Sequence, residues 1–170
     1  VQETLPYITI AEALSLENGA SATVRGTVTF IDGRNIYVQD ATGGIVLYLT
    51  AASETIAVGD MVQATGTRAA YKGLPELSGI DPTGEAITII SSGNVLPLET
   101  VTLAELLAAP DTYMCERIKL EGVTLGTINN SGNTPITQGE SSINIYKLPE
   151  INFVEGDVVD VVAVVSCFIS

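Results

Sequence analysis

Hydrophobic and polar residues alternate over short stretches, and the stretches are separated by glycine-rich breaks. From Ala22 to Ile31, Val24, Gly26, Val28 and Phe30 fall on one face, and Arg25, Thr27 and Thr29 on the other. Period two with many Val and Thr residues predicts a strand. Asn35–Gln39 predicts a second strand, with Ile36 and Val38 opposite Tyr37 and Gln39. Asp40-Ala41-Thr42-Gly43-Gly44 then reads as a turn, because Asp bonds amides ahead of it and glycine takes positive φ. In the next strand Ile45, Leu47 and Leu49 lie opposite Val46 and Tyr48. A fourth strand, Asp60–Arg68, is entered through Gly59-Asp60. A long Gly/Pro loop is expected over 71–84, and a fifth strand over 86–90. Five short strands with turn signals between them predict a small barrel or sandwich.

The pattern recurs. Ile8-Thr9-Ile10-Ala11-Glu12-Ala13-Leu14 matches Val101-Thr102-Leu103-Ala104-Glu105-Leu106-Leu107 at an offset of 93. Val24-Arg25-Gly26 matches Leu120-Glu121-Gly122 at 96, and Val58-Gly59-Asp60-Met61-Val62 matches Glu155-Gly156-Asp157-Val158-Val159 at 97. A period near 95 is domain-sized. We expect domain 1 over 1–95 and domain 2 over 96–170, divided near Gly93-Asn94-Val95-Leu96-Pro97. Each half opens with the S/T-x-x-E spacing of a capping box, Thr9/Glu12 and Thr102/Glu105. The helices are expected at about 10–17 and 103–109, and the strands at about 22–91 and 115–168.

Composition narrows the function. Of 170 residues, 46% are hydrophobic, which excludes a disordered acidic tail. There is no His, so His-based catalysis and metal binding are excluded. Seven Lys+Arg against 20 Asp+Glu give a net charge of −13, repelled on average by nucleic-acid phosphates. No apolar run approaches the ~20 residues of a transmembrane helix. The first residue is Val1, with no basic-then-apolar leader, so any signal peptide is expected to have been removed or to lie outside this sequence. Two cysteines are too few for a disulfide scaffold or a zinc site.

Arg25-Gly26-Thr27-Val28, Ile36-Tyr37-Val38-Gln39-Asp40-Ala41-Thr42-Gly43-Gly44-Ile45, Val58-Gly59-Asp60-Met61-Val62 and Tyr71-Lys72-Gly73-Leu74-Pro75-Glu76-Leu77 together resemble the OB-fold. They are most similar to OB-like domains of secreted nucleases and surface lipoproteins of Bacteroides-type bacteria. The resemblance implies a mainly β chain of two tandem OB-like, five-stranded Greek-key barrels, each preceded by a short helix. In the second half the Gln39–Gly44 turn is degraded to Thr137-Gln138-Gly139-Glu140-Ser141, and a fifth strand is expected to be missing or to come from elsewhere. The open edge is a route to a homodimer or to pairing with a partner's strand. In such a barrel Cys115 and Cys167 lie on antiparallel neighbours, where a disulfide is geometrically allowed; two free thiols are the favoured alternative. A disulfide would imply an oxidising compartment.

OB-folds bind across strands 2 and 3 and the loops after strands 1 and 4. The resemblance therefore points to Arg25, Arg34, Tyr37, Gln39, Tyr48, Arg68, Tyr71 and Lys72 as one ligand groove, with Val46 on the same face. Tyr stacking with nearby cations suits single-stranded nucleic acid, and suits a sugar or a protein anchor equally. Against it, domain 1 carries 4 basic and 10 acidic residues (net −6) and domain 2 carries 3 and 10 (net −7). Exposed strand tyrosines also arise from cross-strand packing alone. No nucleophile motif, paired general acid and base, EF-hand spacing or phosphate loop occurs. We therefore expect no enzyme, no metal and no cofactor. The expected function is a non-catalytic binding module, secreted or at the cell envelope, recognising a protein or glycan. The alternative is a single-stranded nucleic-acid-binding module accessory to a secreted nuclease.

Overall fold

In the computed structural model, which describes residues 6–149 and 151–167, the chain is mainly β. Thr9 caps α1 (Ile10–Leu14) with both arms of its capping box formed. The helix stops three residues short of expectation, because the Ser15 hydroxyl donates to the Glu12 carbonyl and Gly19 turns the chain at φ 98°. β1 (Ser21–Asp32), β2 (Asn35–Gln39), β3 (Gly44–Leu49) and β4 (Met61–Tyr71) follow as the alternation predicts.

The expected loop over 71–84 is instead largely a strand. A tight turn through Lys72 (φ 49°) and Gly73 (φ 86°) pairs Tyr71 with Leu74 and starts β5 (Leu74–Ile80). Two successive positive φ values are what the type I′ turn of a two-residue hairpin requires. β5 lies antiparallel to β4 and parallel to β3. The strand order β1-β2-β3-β5-β4, closed by a β1–β4 pairing, makes a five-stranded barrel, with β6 (Ile87–Ser91) added to β4. Ile45, Leu47, Val62, Ala64, Leu77 and Ile80 fill it, and α1 adds Ile10 and Ala13 to the same core.

One facing is corrected. The β1–β2 register shifts between Val28 and Phe30, so Phe30 turns outward at 45% exposure and stacks edge-on against Tyr37. A bulge places consecutive residues against one partner and reverses the faces beyond it.

The second half begins with β7 (Glu99–Thr100), α2 (Leu103–Ala108) and α3 (Pro110–Tyr113). Then come β8 (Arg117–Leu125), β9 (Asn133–Gln138), β10 (Ser141–Tyr146) and β11 (Val158–Val164) in the order β10-β9-β8-β11, with β7 on β8. Val101, Leu103, Leu106, Leu120, Val123, Leu125 and Ile136 are buried here. The expected end of the last strand near residue 168 lies outside the described residues.

Two compact units result. One runs to Pro97 and also takes Thr112–Arg117 and the residues from Val164; the other is Leu98–Asp111 with Ile118–Ala163. Residues 112–117 and those from Val164, expected in the second domain, thus belong to the first unit.

Candidate functional site

The expected ligand face of the first barrel is the outer side of β2 and β3. Tyr37 and Val46 do point outward there, but they are 7% and 0% exposed. They form a small apolar cluster with Leu74 and Cys115, flanked by Met114 and Val164. The unit's own residues 112–117 and 164–166 cover the face. Cys115 N–H donates to the Val165 carbonyl at 2.8 Å, and Val165 N–H to the Glu116 carbonyl at 3.0 Å. The Tyr37 hydroxyl meets the Ser166 hydroxyl at 3.2 Å. Gln39 Oε1 accepts the Arg117 N–H at 2.9 Å. Tyr37 and Gln39, expected open to ligand, are therefore engaged within the chain. The cause is packing that no local pattern encodes: Tyr37 and Ser166 are 129 residues apart.

Gly44 permits this cover. A Cβ there would lie 2.5 Å from the Cys115 carbonyl oxygen, so the close approach requires glycine. Cys115 itself takes φ 65°. Burial, reinforced by the Glu116 charge, pushes its thiol pKa up to about 12 and leaves it neutral and inert. Burial likewise raises the Tyr37 pKa. Both described cysteines are free thiols, Cys115 buried and Cys167 half-buried.

The other expected residues are distributed over the barrel rather than gathered in one groove. Arg34, in the β1–β2 turn, stacks on the Tyr48 ring at 4.7 Å, and its Nη1 reaches the Thr50 carbonyl at 3.5 Å. Arg68 donates to the Ala69 carbonyl and, at 3.5 Å, to the Leu14 carbonyl. Its Nε is buried without a partner, and burial lowers its pKa. Tyr71 and Lys72 sit at the β4–β5 turn, ring and ammonium 5.7 Å apart. The turn pairs with the start of β5, whereas Tyr48 lies near the end of the parallel β3, so the two pairs occupy opposite ends of that sheet.

Arg25 has a different neighbourhood. Its guanidinium carbon lies 4.4 Å from the centroid of the Tyr7 ring, and its Nε donates to Gln63 Oε1 at 2.8 Å. A groove of about 480 Å³ opens beside it, lined also by Met61, Val95, Leu96 and Pro97. Sequence reasoning missed Tyr7, Gln63 and the 95–97 segment. Gln63 was legible as the outward neighbour of Arg25 on β4, paired directly with it, whereas Tyr7 and 95–97 lie outside any periodic stretch. Asp40 borders the groove, with its carboxylate committed elsewhere. Oδ2 accepts the Ile10 N–H at the start of α1, and Oδ1 accepts from Thr42 and the Gly43 N–H.

Among the described residues no three or more of Cys, Asp and Glu gather as metal ligands. No described helix is long and apolar enough to cross a membrane.

In the second unit the sheet ends on β10 and β11, and no other described strand pairs with the far edge of either. The equivalent gap in the first unit, between β3 and β4, holds β5.

No family model matches the chain, and no curated protein matches it. Among solved structures it is similar to one described as the hypothetical protein ygiW from E. coli. The identity is 20%, covering 49% of this chain and 89% of that one, with a TM-score of 0.40.

Proposed function

We propose that the chain is a non-catalytic binding module that recognises a protein partner by accepting an extended strand at the open side of its second unit. One observation carries this: β10 and β11 each present an unpaired edge where the first unit inserts β5. Unpaired strand edges offer a row of amide and carbonyl groups that a peptide strand can complete. The side chains lining the gap also call for cover. Ile143, Ile145, Val159 and Val161 are half-buried, while the matching Ile45, Leu47, Val62 and Ala64 are at most 1% exposed. The sequence resemblance to envelope and secreted OB-like domains supports an extracytoplasmic setting. The single-strand nucleic-acid alternative needs Tyr37 and Tyr48 open side by side, and Tyr37 is buried. For the glycan alternative the groove beside Arg25 is the candidate cleft, and Met61, Val95, Leu96 and Pro97 in its lining favour an apolar ligand over a sugar.

The test is selection of ten-residue peptides from a random library on the full chain, with oligo-dT at low salt as the control. Binders with alternating apolar residues that protect the β10 and β11 amides from exchange are expected. Salt-sensitive oligo-dT binding with no peptide protecting those amides would overturn the reading.

A further inference from the structure

In a chain with 20 acidic residues, Arg25 has no carboxylate at ion-pair distance among the described residues. Its Nε is taken by Gln63, but neither Nη atom donates to a described residue. The Gln63 hydrogen bond at Nε and the Tyr7 ring beneath the guanidinium carbon hold the group at two points. An arginine held this way keeps both Nη donors for an end-on, two-bond grip on a carboxylate. Because its rotamer is already fixed, little side-chain entropy is lost when a ligand arrives. The groove beside it is lined by the apolar Met61, Val95, Leu96 and Pro97 together with Thr9, Thr27, Gln39 and Asp40, and Val95 is 93% exposed. Pro97 is pinned there, its carbonyl accepting from Arg117 Nη1 at 3.3 Å. The nearby Asp40 charge is spread over the start of α1 and the 42–43 turn, which lessens its repulsion of an incoming anion.

We propose that this groove binds the C-terminal carboxylate of a peptide, with Arg25 gripping the carboxylate and Met61, Leu96 and Pro97 receiving an apolar last side chain. The apolar lining favours a peptide end over a hydroxyl-rich acidic sugar. The site lies in the first unit and uses neither β10 nor β11, so it stands or falls apart from strand addition.

The test is titration of the full chain with an acetylated hexapeptide ending in Val-Leu, as the free acid and as the C-terminal amide. Binding is followed by calorimetry and by backbone NMR shifts. The free acid is expected to bind about tenfold more tightly than the amide, with shifts at Gly26, Thr27 and Val95. Arg25→Gln abolishes the difference. Val95→Asp, at an exposed position that does not test folding, weakens the acid more than the amide. Equal binding of acid and amide, no shifts at millimolar peptide, or shifts produced by oligogalacturonate but not by the peptide would each overturn the proposal.

Discussion

In the first unit Ile45 and Leu47 of β3 and Val62 and Ala64 of β4 are at most 1% exposed, because β5 runs between the strands and adds Leu77 and Ile80. In the second unit the counterparts Ile143, Ile145, Val159 and Val161 are half-buried, and Val158 and Val162 are 67% and 47% exposed. The two units nevertheless start alike. Asp40 accepts the first amide of α1, and Gln138 accepts the first amide of α2, Leu103 N–H at 2.9 Å. Gly59 and Gly156, at φ 93° and 96°, donate to Val28 and Leu125, and Asp60 and Asp157 both close their turns through Oδ2. Asn35 pairs with Tyr48, and Asn133 with Tyr146. The helix cap, the first hairpin and the Gly-Asp turn are thus one shared framework. Closure is a separate feature, supplied by one strand that the second unit lacks among its described residues.

The largest expected effect breaks closure directly. Leu77→Ala removes a fully buried side chain from the closed barrel and is expected to cost about 2–5 kcal/mol in denaturant unfolding. Val161→Ala, at a half-buried position, should cost about 1 kcal/mol or less. Equal costs would mean that the second unit is packed as fully as the first.

Next is the cover over the first barrel. Gly44→Ala forces the Cys115 backbone away and should cost about 1–3 kcal/mol. It should also make Cys115 reactive. In the native parent, thiol reagents should modify Cys167 readily and Cys115 only after denaturant is added. Two fast thiols in the parent would show that residues 112–117 do not cover the face.

The shared framework predicts a matched pair. Thr9→Ala and Thr102→Ala each break a complete capping box and should each cost about 1 kcal/mol, measured by thermal unfolding.

The smallest effect is pH-dependent. Burial raises the Glu76 carboxyl above its ordinary 4.5, with Arg68 opposing. Its ionised form is therefore the disfavoured one in the folded chain, and stability tied to this group is lost as pH rises through the folded pKa. Glu76→Gln should be more stable than the parent at pH 7, and the advantage should vanish as pH falls below 4.5. An advantage that persists at acid pH would assign the effect to packing rather than charge.

Much of this framework is legible residue by residue. The capping boxes, the Gly-Asp turns and the alternation of β1 to β4 are local patterns, and each forms. β5 was not legible because Pro75, Ser78 and Gly79 break a strand pattern; β3 and β4 on either side impose it. The outward turn of Phe30 follows from a bulge that alternation cannot reveal. The second barrel keeps Thr134, fully buried, where the first has Ile36, and tolerates it because its hydroxyl bonds within the 129–134 loop. At the candidate site, the outward facing of Tyr37 and Val46 was legible and their burial was not. Residues far along the chain supply the cover.

Hydrogen–deuterium exchange on the full chain tests the central claim, that the second barrel is open where the first is closed. The amides of β3 and β4 should be strongly protected on both sides, while β10 and β11 each show a set of fast-exchanging amides alternating with protected ones. Uniform protection of β10 and β11, equal to that of β3 and β4, would contradict an open edge and with it the proposed strand-accepting function.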